Sequence, residues 1–518
     1  MCNLRIFYSS DAANITAFAA GLDKPVLFHG DEILNDTSNF KFYHIFQLPL
    51  TIFISKFTGN YVSAFLLPLG LLIFIQGLGF YVLGKLLFND EFWAFLLSLA
   101  TLAPVPIFLG DFWGIYFEPL PRVYFQAFFP FFLALFVYWR LDPKKWFILF
   151  FLSWFMVYIH PPSVLSLGTM LWVGSWLYLP RFWKVRKKIG FMAGLLVLFI
   201  LPGLPFLSNY LSSHLHGGLT QYKAIMDIMK VRFLKGFLDI PFAFLCFVSN
   251  LTVLRVMIFG LIGYLFLYFF QKKLRKETGL VLVWILALFF ISFFIPYLEQ
   301  LCCQTFNLIP FEIDLVRAAR YIFPLLIIFC IWPAVVFRQP QFSNRLRLSV
   351  FFVFTALILS WCLRQGFKHV GFLRSSGLTL LSERSSKMLD EIDMLDAIKK
   401  YTPEGAAIFA YSLPHELAVR YDALRPLVFS YKDGGAFAYS NEKGLLDWFS
   451  KLKKVNTVGK EKNPEQKANL LLGIAAGFGA DYLVTEKKLF WYIPSSTVYT
   501  NGNYILIKIG KGDTYGSG

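Results

Sequence analysis

Acidic side chains precede the first long apolar segment in "FHGDEILND", residues 28–36, which contains Asp31 and Glu32. A second acidic pair, Asp111 and Glu118, lies in the short aromatic loop "GDFWGIYFEPLPR". One carboxylate can take a proton from an acceptor hydroxyl, and several can hold a divalent cation such as Mg²⁺ or Mn²⁺. These acids are therefore candidates for general-base or metal chemistry.

Cationic and imidazole side chains accompany these acids. Arg122 ends the second acidic loop, and Arg317 and Arg320 lie in "DLVRAARYIFP". Arginine binds phosphate oxygens in bidentate fashion, so these three could bind the phosphate of a lipid-linked donor. His160, which ends an apolar run before two prolines, is a further candidate. The alternative for each is a solvated loop residue, an arginine that reaches for the membrane interface, or a histidine that caps a turn.

The composition predicts a polytopic membrane protein. Of 518 residues, 57% are hydrophobic and only 16% are charged, whereas soluble chains have about 25% charged residues. The net charge of +17 is typical of cytoplasmic loops rich in Lys and Arg. No basic and aromatic surface outside the membrane stands out, so nucleic-acid binding is not expected.

Ten segments have the length or apolar character of membrane spans, given that a span needs about 20 apolar residues. They are 61–88, 91–109, 122–140, 145–160, 163–180, 189–208, 250–271, 278–296, 321–338 and 348–363. Residues 41–57 have apolar positions at helical spacing and a polar side, which predicts an interfacial helix.

Lys and Arg cluster at 181–188 and 272–276, and weaker clusters follow spans three and nine. All four clusters fall on one side of the membrane if successive spans cross it in alternating directions. The positive-inside rule makes that side cytoplasmic. Residues 1–60 and everything after 364 are then extracytoplasmic, in a multi-pass protein of the inner (plasma) membrane. Residues 1–60 reach that side without a preceding span, so we expect a missing upstream first helix. The alternative is an unusual insertion with the N-terminus outside.

The last 135 or so residues change character, and we divide the chain into four regions. These are an outer loop with the interfacial helix (1–60), a transmembrane domain (61–363), a linker (364–383) and a soluble domain (384–518). Strands are predicted at "AAIFAY", "RPLVFS", "ADYLVTE" and "NYILIKI", and helices at 442–454 and 464–478. Strands that alternate with helices predict a small, largely parallel α/β domain.

This layout resembles the GT-C superfamily, integral-membrane glycosyltransferases that use polyprenyl-phosphate sugars. "GDE" at 30–32 is similar to the Asp-Glu motif of the protein O-mannosyltransferase type. "GDFWGIYFE" lies where oligosaccharyltransferases carry a second acidic motif, although here the two acids are seven residues apart. The outer domain, with "TPEGAAIFAY" and "RPLVFSY", also resembles uncharacterised bacterial membrane proteins of this superfamily.

The resemblance implies transfer of a sugar from a polyprenyl-phosphate donor to an envelope acceptor, with inversion at the anomeric carbon. Asp31 would be the base, with Asp11 as its rival and Glu32 beside it. Asp111 and Glu118 would hold a metal or orient the acceptor, and the three arginines would bind the donor phosphate.

We expect Asp31, Glu32 and Asp111 to converge in one cavity on the outer face. Two other functions stay open. A lipid-linked sugar flippase or transporter would need acids within the spans, and the predicted spans contain almost none. A non-catalytic envelope assembly protein would have a surface without an acidic cavity.

Overall fold

The computed structural model describes residues 11–43, 45–116, 118–208, 222–310, 313–338, 343–375, 386–490 and 492–510. The chain divides into two compact units. The sheet unit comprises Met1–Leu67, Ser213–Arg232 and Leu373–Gly518, and the helical unit comprises Pro68–Ser212 and Phe233–Phe372.

Six helical segments within the described residues are long and apolar enough to cross a membrane. They are Tyr61–Phe88, Pro121–Trp139, Leu251–Phe270, Lys272–Phe306, Asp314–Phe337 and Asn344–Lys368. The last has a mean hydropathy of 2.0, and none of its most apolar window is buried by protein. A continuous apolar surface of this kind is stable in lipid rather than in water. The chain is therefore a helical membrane protein.

The prediction of ten spans is not confirmed, because four of the predicted spans form shorter helices. They are Glu91–Leu102, Pro143–Trp154, Pro161–Trp176 and Val185–Ile200, of 12, 12, 16 and 16 residues. At about 1.5 Å per residue, such helices are shorter than the roughly 30 Å hydrocarbon core of a bilayer. Two of them begin at a proline, which lacks the backbone N–H that an earlier start would need.

The other α-helices described in the helical unit have 10 to 32 residues. They are Leu69–Phe88, Pro121–Trp139, Ile240–Ser249, Leu251–Phe270, Arg275–Phe289, Ile295–Phe306, Ile322–Phe337 and Asn344–Ser375. A π-helical turn, Phe290–Phe294, links two of them into one long segment.

Three basic loops meet at one end of the helical unit. Arg140 Nη2 lies 3.6 Å from Glu277 Oε1, and Lys276 lies over the Tyr178 ring at 4.3 Å. Arg140 directly follows the helix Pro121–Trp139, so the start of that helix is roughly 28 Å away at 1.5 Å per residue. Three of the four loops grouped by sequence as one side of the membrane thus lie together.

The sheet unit contains a mixed four-stranded sheet. Its strands are Ile408–Ala410, Tyr482–Glu486, Tyr504–Lys508 and Thr497–Thr500 in spatial order. Only the first pair is parallel, and the other two pairs are antiparallel.

The prediction of a largely parallel sheet is therefore wrong. The predicted strand "RPLVFS" forms only a single parallel bridge, between Leu427 and Ile408. An unpredicted strand, Thr497–Thr500, instead forms a hairpin with Tyr504–Lys508. Asn501, Gly502 and Asn503 connect these strands, and a connection of three to five residues that contains Gly is a hairpin signal.

The sheet unit also contains nine described α-helices. They are Asp11–Asp23, Gln47–Thr58, Tyr61–Leu66, Tyr222–Arg232, Ser386–Tyr401, Ala418–Tyr421, Asp433–Ser440, Glu442–Lys460 and Pro464–Gly477. The two helices predicted at 442–454 and 464–478 are present. The predicted interfacial helix begins at Gln47 rather than at residue 41, after a 3₁₀ segment.

The N-terminal segment differs most from its predicted role as an outer loop. Residues 12–21 of the first helix are buried, and the backbone N–H of Glu32 donates to the Leu427 carbonyl at 2.9 Å. The segment therefore belongs to the same unit as the C-terminal residues, and the predicted boundaries 1–60 and 384–518 separate parts that fold together. Small apolar residues in "DAANITAFAAGLD" allow this close packing.

Candidate functional site

Asp111 lies on a tight two-stranded hairpin in the helical unit. Strand Val105–Pro106 pairs with Phe112–Trp113. The Ile107 N–H donates to the Asp111 carbonyl, and the Asp111 N–H donates to the Phe108 carbonyl, both at 2.8 Å. These bonds fix the backbone on both sides of the Asp111 side chain.

The hairpin is also held against the end of the helix Glu91–Leu102. Trp113 Nε1 donates to the Thr101 carbonyl at 2.9 Å. Gly114 has φ +91°, and a Cβ atom there would lie 2.1 Å from the Ala103 carbonyl oxygen. Only glycine fits both this conformation and this contact. The position of Asp111 is thus set by backbone packing rather than by a loose loop.

Two arginines face the Asp111 carboxylate. Arg320 Nη1 lies 3.0 Å from Asp111 Oδ1, and Arg122 Nη1 lies 3.8 Å from the same oxygen. Asp111 and Arg320 are each 1% exposed. Neither carboxylate oxygen of Asp111 has a well-aligned hydrogen bond within the described residues, and neither has Arg320 Nη1. A buried ion pair without such bonds is poorly stabilised, so its groups are available to a polar ligand.

The sequence-predicted arginines lie together around this pair. Arg122 donates to the Tyr116 hydroxyl at 3.0 Å and also lies over its ring. Arg320 Nε donates to the Arg317 carbonyl at 2.9 Å. Arg317 lies 3.5 Å from Asp314. Glu118, the other acid of this loop, is fully buried three residues before the helix Pro121–Trp139. We call Asp111, Tyr116, Arg122, Arg317 and Arg320 the Asp111 cluster.

His160 is connected to the Asp111 cluster through two hydroxyl groups. Its Nδ1 lies 2.8 Å from Ser163 Oγ, which lies 2.7 Å from the Tyr321 hydroxyl. Tyr321 directly follows Arg320, and its ring packs against Phe129 with the centroids 4.8 Å apart. Sequence reasoning missed Ser163 and Tyr321. The available signal for the serine was Pro161 at "HPPS", which begins the next helix two residues before Ser163.

Asp31 has a different environment, in the sheet unit. Its Oδ1 accepts hydrogen bonds from the N–H groups of Ile33 and Leu34, both at 2.9 Å. Its Oδ2 accepts from Arg420 Nε at 2.7 Å and from the Leu427 N–H at 2.8 Å. An ionised carboxylate has about four lone-pair sites, and all four are used. Asp31 would therefore have to give up a hydrogen bond to accept a proton, and its predicted role as the base stays a prediction.

Arg420 joins Asp31 to a second carboxylate. Its two terminal nitrogens donate to Asp433 at 2.6 and 2.8 Å, and its side chain is 1% exposed. Burial alone would lower the pKa of Arg420, but Asp31 and Asp433 raise it above its ordinary value. Asp31, Arg420 and Asp433 form a buried ion triad that links the N-terminal segment to the C-terminal residues. Sequence reasoning missed Arg420 and Asp433, since Asp31, the second partner of Arg420, lies 389 positions away.

Glu32 lies beside this ion triad and pairs with Lys451 at 3.1 Å. Burial raises the pKa of Glu32 to about 8, and the nearby Asp433 carboxylate adds to this effect, whereas Lys451 and Arg420 oppose it. Asp11, the rival base, is the first residue of the helix Asp11–Asp23.

The predicted cavity shared by Asp31, Glu32 and Asp111 stays a prediction, because these acids belong to two different units. Each has a cationic partner within its own unit. Asp31 pairs with Arg420, and Asp111 pairs with Arg320.

The predicted divalent metal stays a prediction. No group of three or more His, Cys, Asp or Glu side chains within them is placed to hold an ion. Asp111, one of the two predicted ligands, faces two guanidinium groups instead.

No protein-family model matches the chain, and no curated protein matches it significantly in sequence. The geometry of the two ion clusters is therefore the basis for a functional proposal.

Proposed function

We propose that the helical unit carries a glycosyl-transfer site, and that the protein transfers a sugar from a polyprenyl-phosphate donor to an envelope acceptor, as in the GT-C superfamily. The observation that carries the proposal is the Asp111 cluster. A buried carboxylate on a rigid hairpin faces two arginines from different segments, and its oxygens lack aligned hydrogen bonds from the part of the chain that the structure describes.

The arginines suit a phosphate group. Guanidinium groups bind phosphate oxygens through two parallel hydrogen bonds, which a lysine cannot do. Arg122 and Arg320 come from a helix start and a 3₁₀ segment, so they can approach one phosphate from two directions. A donor phosphate that binds them would weaken their attraction to Asp111 and leave that carboxylate available to the acceptor.

An apolar groove supports a lipid-linked donor. The groove has a volume of 580 Å³, and Phe244, Phe290 and Phe293 contribute to its walls. Phe293 is part of the π-helical turn, a feature frequent at functional sites. Phe108, whose carbonyl accepts the Asp111 N–H, packs 6.3 Å from the Phe293 ring. An isoprenoid chain in this groove would bring its phosphate toward the Asp111 cluster.

In the proposed reaction, Asp111 accepts the proton of an acceptor hydroxyl. The acceptor oxygen forms a bond to the anomeric carbon from the face opposite the phosphate. The bond between that carbon and the phosphate oxygen breaks, and polyprenyl phosphate leaves with the electron pair. Arg122 and Arg320 stabilise the extra negative charge on this leaving group. Asp111 then releases its proton to water, and the configuration at the anomeric carbon is inverted.

The position of the basic loops favours an extracytoplasmic site. Arg140 and Lys276 lie at one end of the helical unit, and Arg122 begins the helix that Arg140 follows. If the basic end is cytoplasmic, as the positive-inside rule states, the Asp111 cluster lies near the outer surface. An inner-membrane location with the C-terminal residues outside follows from the same rule.

A lipid-linked sugar transporter is the second candidate. The buried Asp111–Arg320 pair favours it, because ionisable groups within membrane segments often serve ion or substrate pathways. A transporter would move the donor across the membrane and leave its sugar attached. A transferase would release free polyprenyl phosphate.

The proposal is tested with membranes that contain the full-length protein and a panel of polyprenyl phosphates, each carrying one radiolabelled hexose or pentose. We expect label to move from lipid to envelope material. Asp111→Asn should lower the transfer rate by roughly 10²–10⁴-fold, the usual contribution of a general base. Asp142→Asn is the matched control, because Asp142 is 46% exposed and pairs only loosely with Lys145 at 3.5 Å. Equal rates for the two variants would contradict the proposal.

A further inference from the structure

A polar cavity lies wholly within the sheet unit. It has a volume of 410 Å³, within the range of about 300–1,000 Å³ that is typical of small-molecule sites. Its walls come from the N-terminal segment around Glu32 and Asn39, and from the start of the helix Glu442–Lys460. The glycosyl-transfer proposal makes no use of it.

Two amide side chains in the cavity wall are fixed in orientation. Asn441 Nδ2 donates to Asn39 Oδ1 at 2.8 Å, and Asn39 Nδ2 donates to the Ile33 carbonyl and to Asn35 Oδ1, both at 3.1 Å. Within the described residues, this leaves Asn39 Oδ1 one further lone pair and Asn441 Nδ2 one further hydrogen for a ligand. Asn441 Oδ1 also accepts from the Gly444 N–H at 2.9 Å and thereby caps the helix. Fixed polar groups bind a ligand without the loss of side-chain freedom that flexible ones incur.

Glu32 in the cavity wall has an unused hydrogen-bonding atom. Its side chain is 4% exposed, and its Oε1 accepts from Lys451. Its Oε2 is buried without a hydrogen-bond partner within the described residues. Buried polar atoms almost always have a partner, so this atom points to a ligand that donates a hydrogen bond.

The charges around the cavity balance, which indicates a neutral ligand. With a pKa raised to about 8, Glu32 is mostly neutral at pH 7. Lys443 and Lys451 then offset Asp447 and the single net negative charge of the Asp31–Arg420–Asp433 triad. A phosphate or another anion would require an excess of positive charge. The described residues also offer no group of three ligands for a metal ion.

The remaining wall residues define the chemical class of that neutral ligand. Phe437 and Phe478 provide apolar surfaces between the amide, carboxylate and ammonium groups. A sugar ring combines C–H faces with several hydroxyl groups that both donate and accept hydrogen bonds. With a pKa of about 8, Glu32 is mostly protonated at neutral pH and can likewise donate as well as accept.

We propose that this cavity is a saccharide-binding site in which Glu32, Asn39, Asn441 and Lys451 bind the hydroxyl groups of a neutral sugar. The class of ligand follows from the cavity alone. Its identification as the acceptor glycan rests on the proposed function. The site would bind a sugar unit of the glycan other than the unit that reacts. This binding is independent of the chemistry at Asp111.

The test measures binding of neutral trisaccharides of glucose, mannose, galactose and N-acetylglucosamine to the full-length protein by saturation-transfer difference NMR. The detergent must carry no sugar headgroup, since maltosides and glucosides would compete. We expect at least one trisaccharide to bind, and inorganic phosphate not to displace it. Glu32→Ala should weaken that binding by about tenfold or more, as expected when a buried hydrogen-bonding group is removed.

Asp36→Ala is the matched control, because Asp36 is an exposed acid four residues away that bonds the Ser38 N–H and does not line the cavity. The Asp36→Ala variant should bind the trisaccharide with the affinity of the parent. Lys443→Ala is the second variant, in case Glu32→Ala does not fold, since Lys443 is exposed at the cavity. It should weaken binding by about threefold, the effect of a modest hydrogen bond.

The proposal is overturned if no trisaccharide binds, or if neither Glu32→Ala nor Lys443→Ala weakens binding relative to Asp36→Ala. Asp111→Asn separates this result from the proposed transferase activity. That variant should bind the trisaccharide with parent affinity whether or not sugar transfer is detected.

Discussion

Replacement of Arg420 by Met tests the structural role that we assign to Asp31. In the parent, Arg420 makes one hydrogen bond to Asp31 and two to Asp433, all of 2.6–2.8 Å and all buried. Met removes the cation and leaves two carboxylates in the interior. Removing one partner of a buried ion pair costs about 3–5 kcal/mol. The pKa of Asp433, already raised by burial, should rise further as the protein relieves this charge.

The assay is hydrogen exchange of the full-length protein, followed by mass spectrometry of peptides that cover residues 27–36 and 425–437. Exchange rates report the free energy of local opening. Each 1.36 kcal/mol corresponds to a tenfold change, so Arg420→Met should speed exchange in both peptides by roughly 10²–10³-fold or more. In the parent protein, both peptides should be protected from exchange together, because the ion triad links them.

Two further variants make the result specific to the ion triad. Lys488→Met removes an exposed cation that lies 2.8 Å from Glu486, and exposed pairs contribute only about 0–1 kcal/mol. The combined variant Asp31→Asn, Arg420→Met and Asp433→Asn removes all three charges. Replacing a whole buried ion network by neutral groups is often neutral to stability, so it should exchange more slowly than Arg420→Met alone. If Arg420→Met exchanged no faster than Lys488→Met, the reasoning would be refuted.

Three other results are expected. The pKa of Glu32 is about 8 in the folded protein, against an ordinary value of 4.5. Between these pH values the folded state therefore binds more protons than the unfolded state, so its stability should fall as pH rises from 5 to 8. Glu32→Gln should flatten this decline in the melting temperature, and an unchanged decline would exclude Glu32 as its cause. Gly114→Ala should lower the rate of sugar transfer by tenfold or more. The added Cβ would lie 2.1 Å from the Ala103 carbonyl oxygen, and a displacement of a catalytic group by about 1 Å can cost roughly 10²-fold in rate. A rate equal to that of the parent would mean that the hairpin does not need to be rigid. In a background without native cysteines, an impermeant reagent added to intact cells should label a cysteine at Ser450 but not one at Leu274, and the opposite result would reverse the proposed orientation.

The sequence predicted the features that depend on local patterns. Apolar runs of 20 residues indicated the membrane segments, and Lys and Arg indicated loops that do lie together. The start of the helix Glu442–Lys460 follows Asn441, whose side chain caps it. A cap and an apolar periodicity are properties of neighbouring residues, so they can be recognised without the fold.

The roles of the acids depend on contacts between distant residues and could not be predicted in this way. Asp31 was a candidate base because of its neighbour Glu32, but its role is set by Arg420, which lies 389 positions away. Asp111 lies in a short aromatic loop, where an acid is costly to bury without a partner. Its partners Arg122 and Arg320 were named as phosphate ligands, and the structure adds that both face the acid itself.

The most direct test of the account compares Asp111→Asn with Asp31→Asn in one sugar-transfer assay, with each rate divided by the amount of folded protein from hydrogen exchange. The account predicts that Asp111→Asn lowers the rate per folded molecule by about 10²–10⁴-fold, as the loss of a general base does. Asp31→Asn should lower the folded amount but leave the rate per folded molecule within about threefold of the parent, since its carboxylate has no lone pair free for catalysis. The opposite pattern, with transfer lost in folded Asp31→Asn and retained in Asp111→Asn, would contradict it.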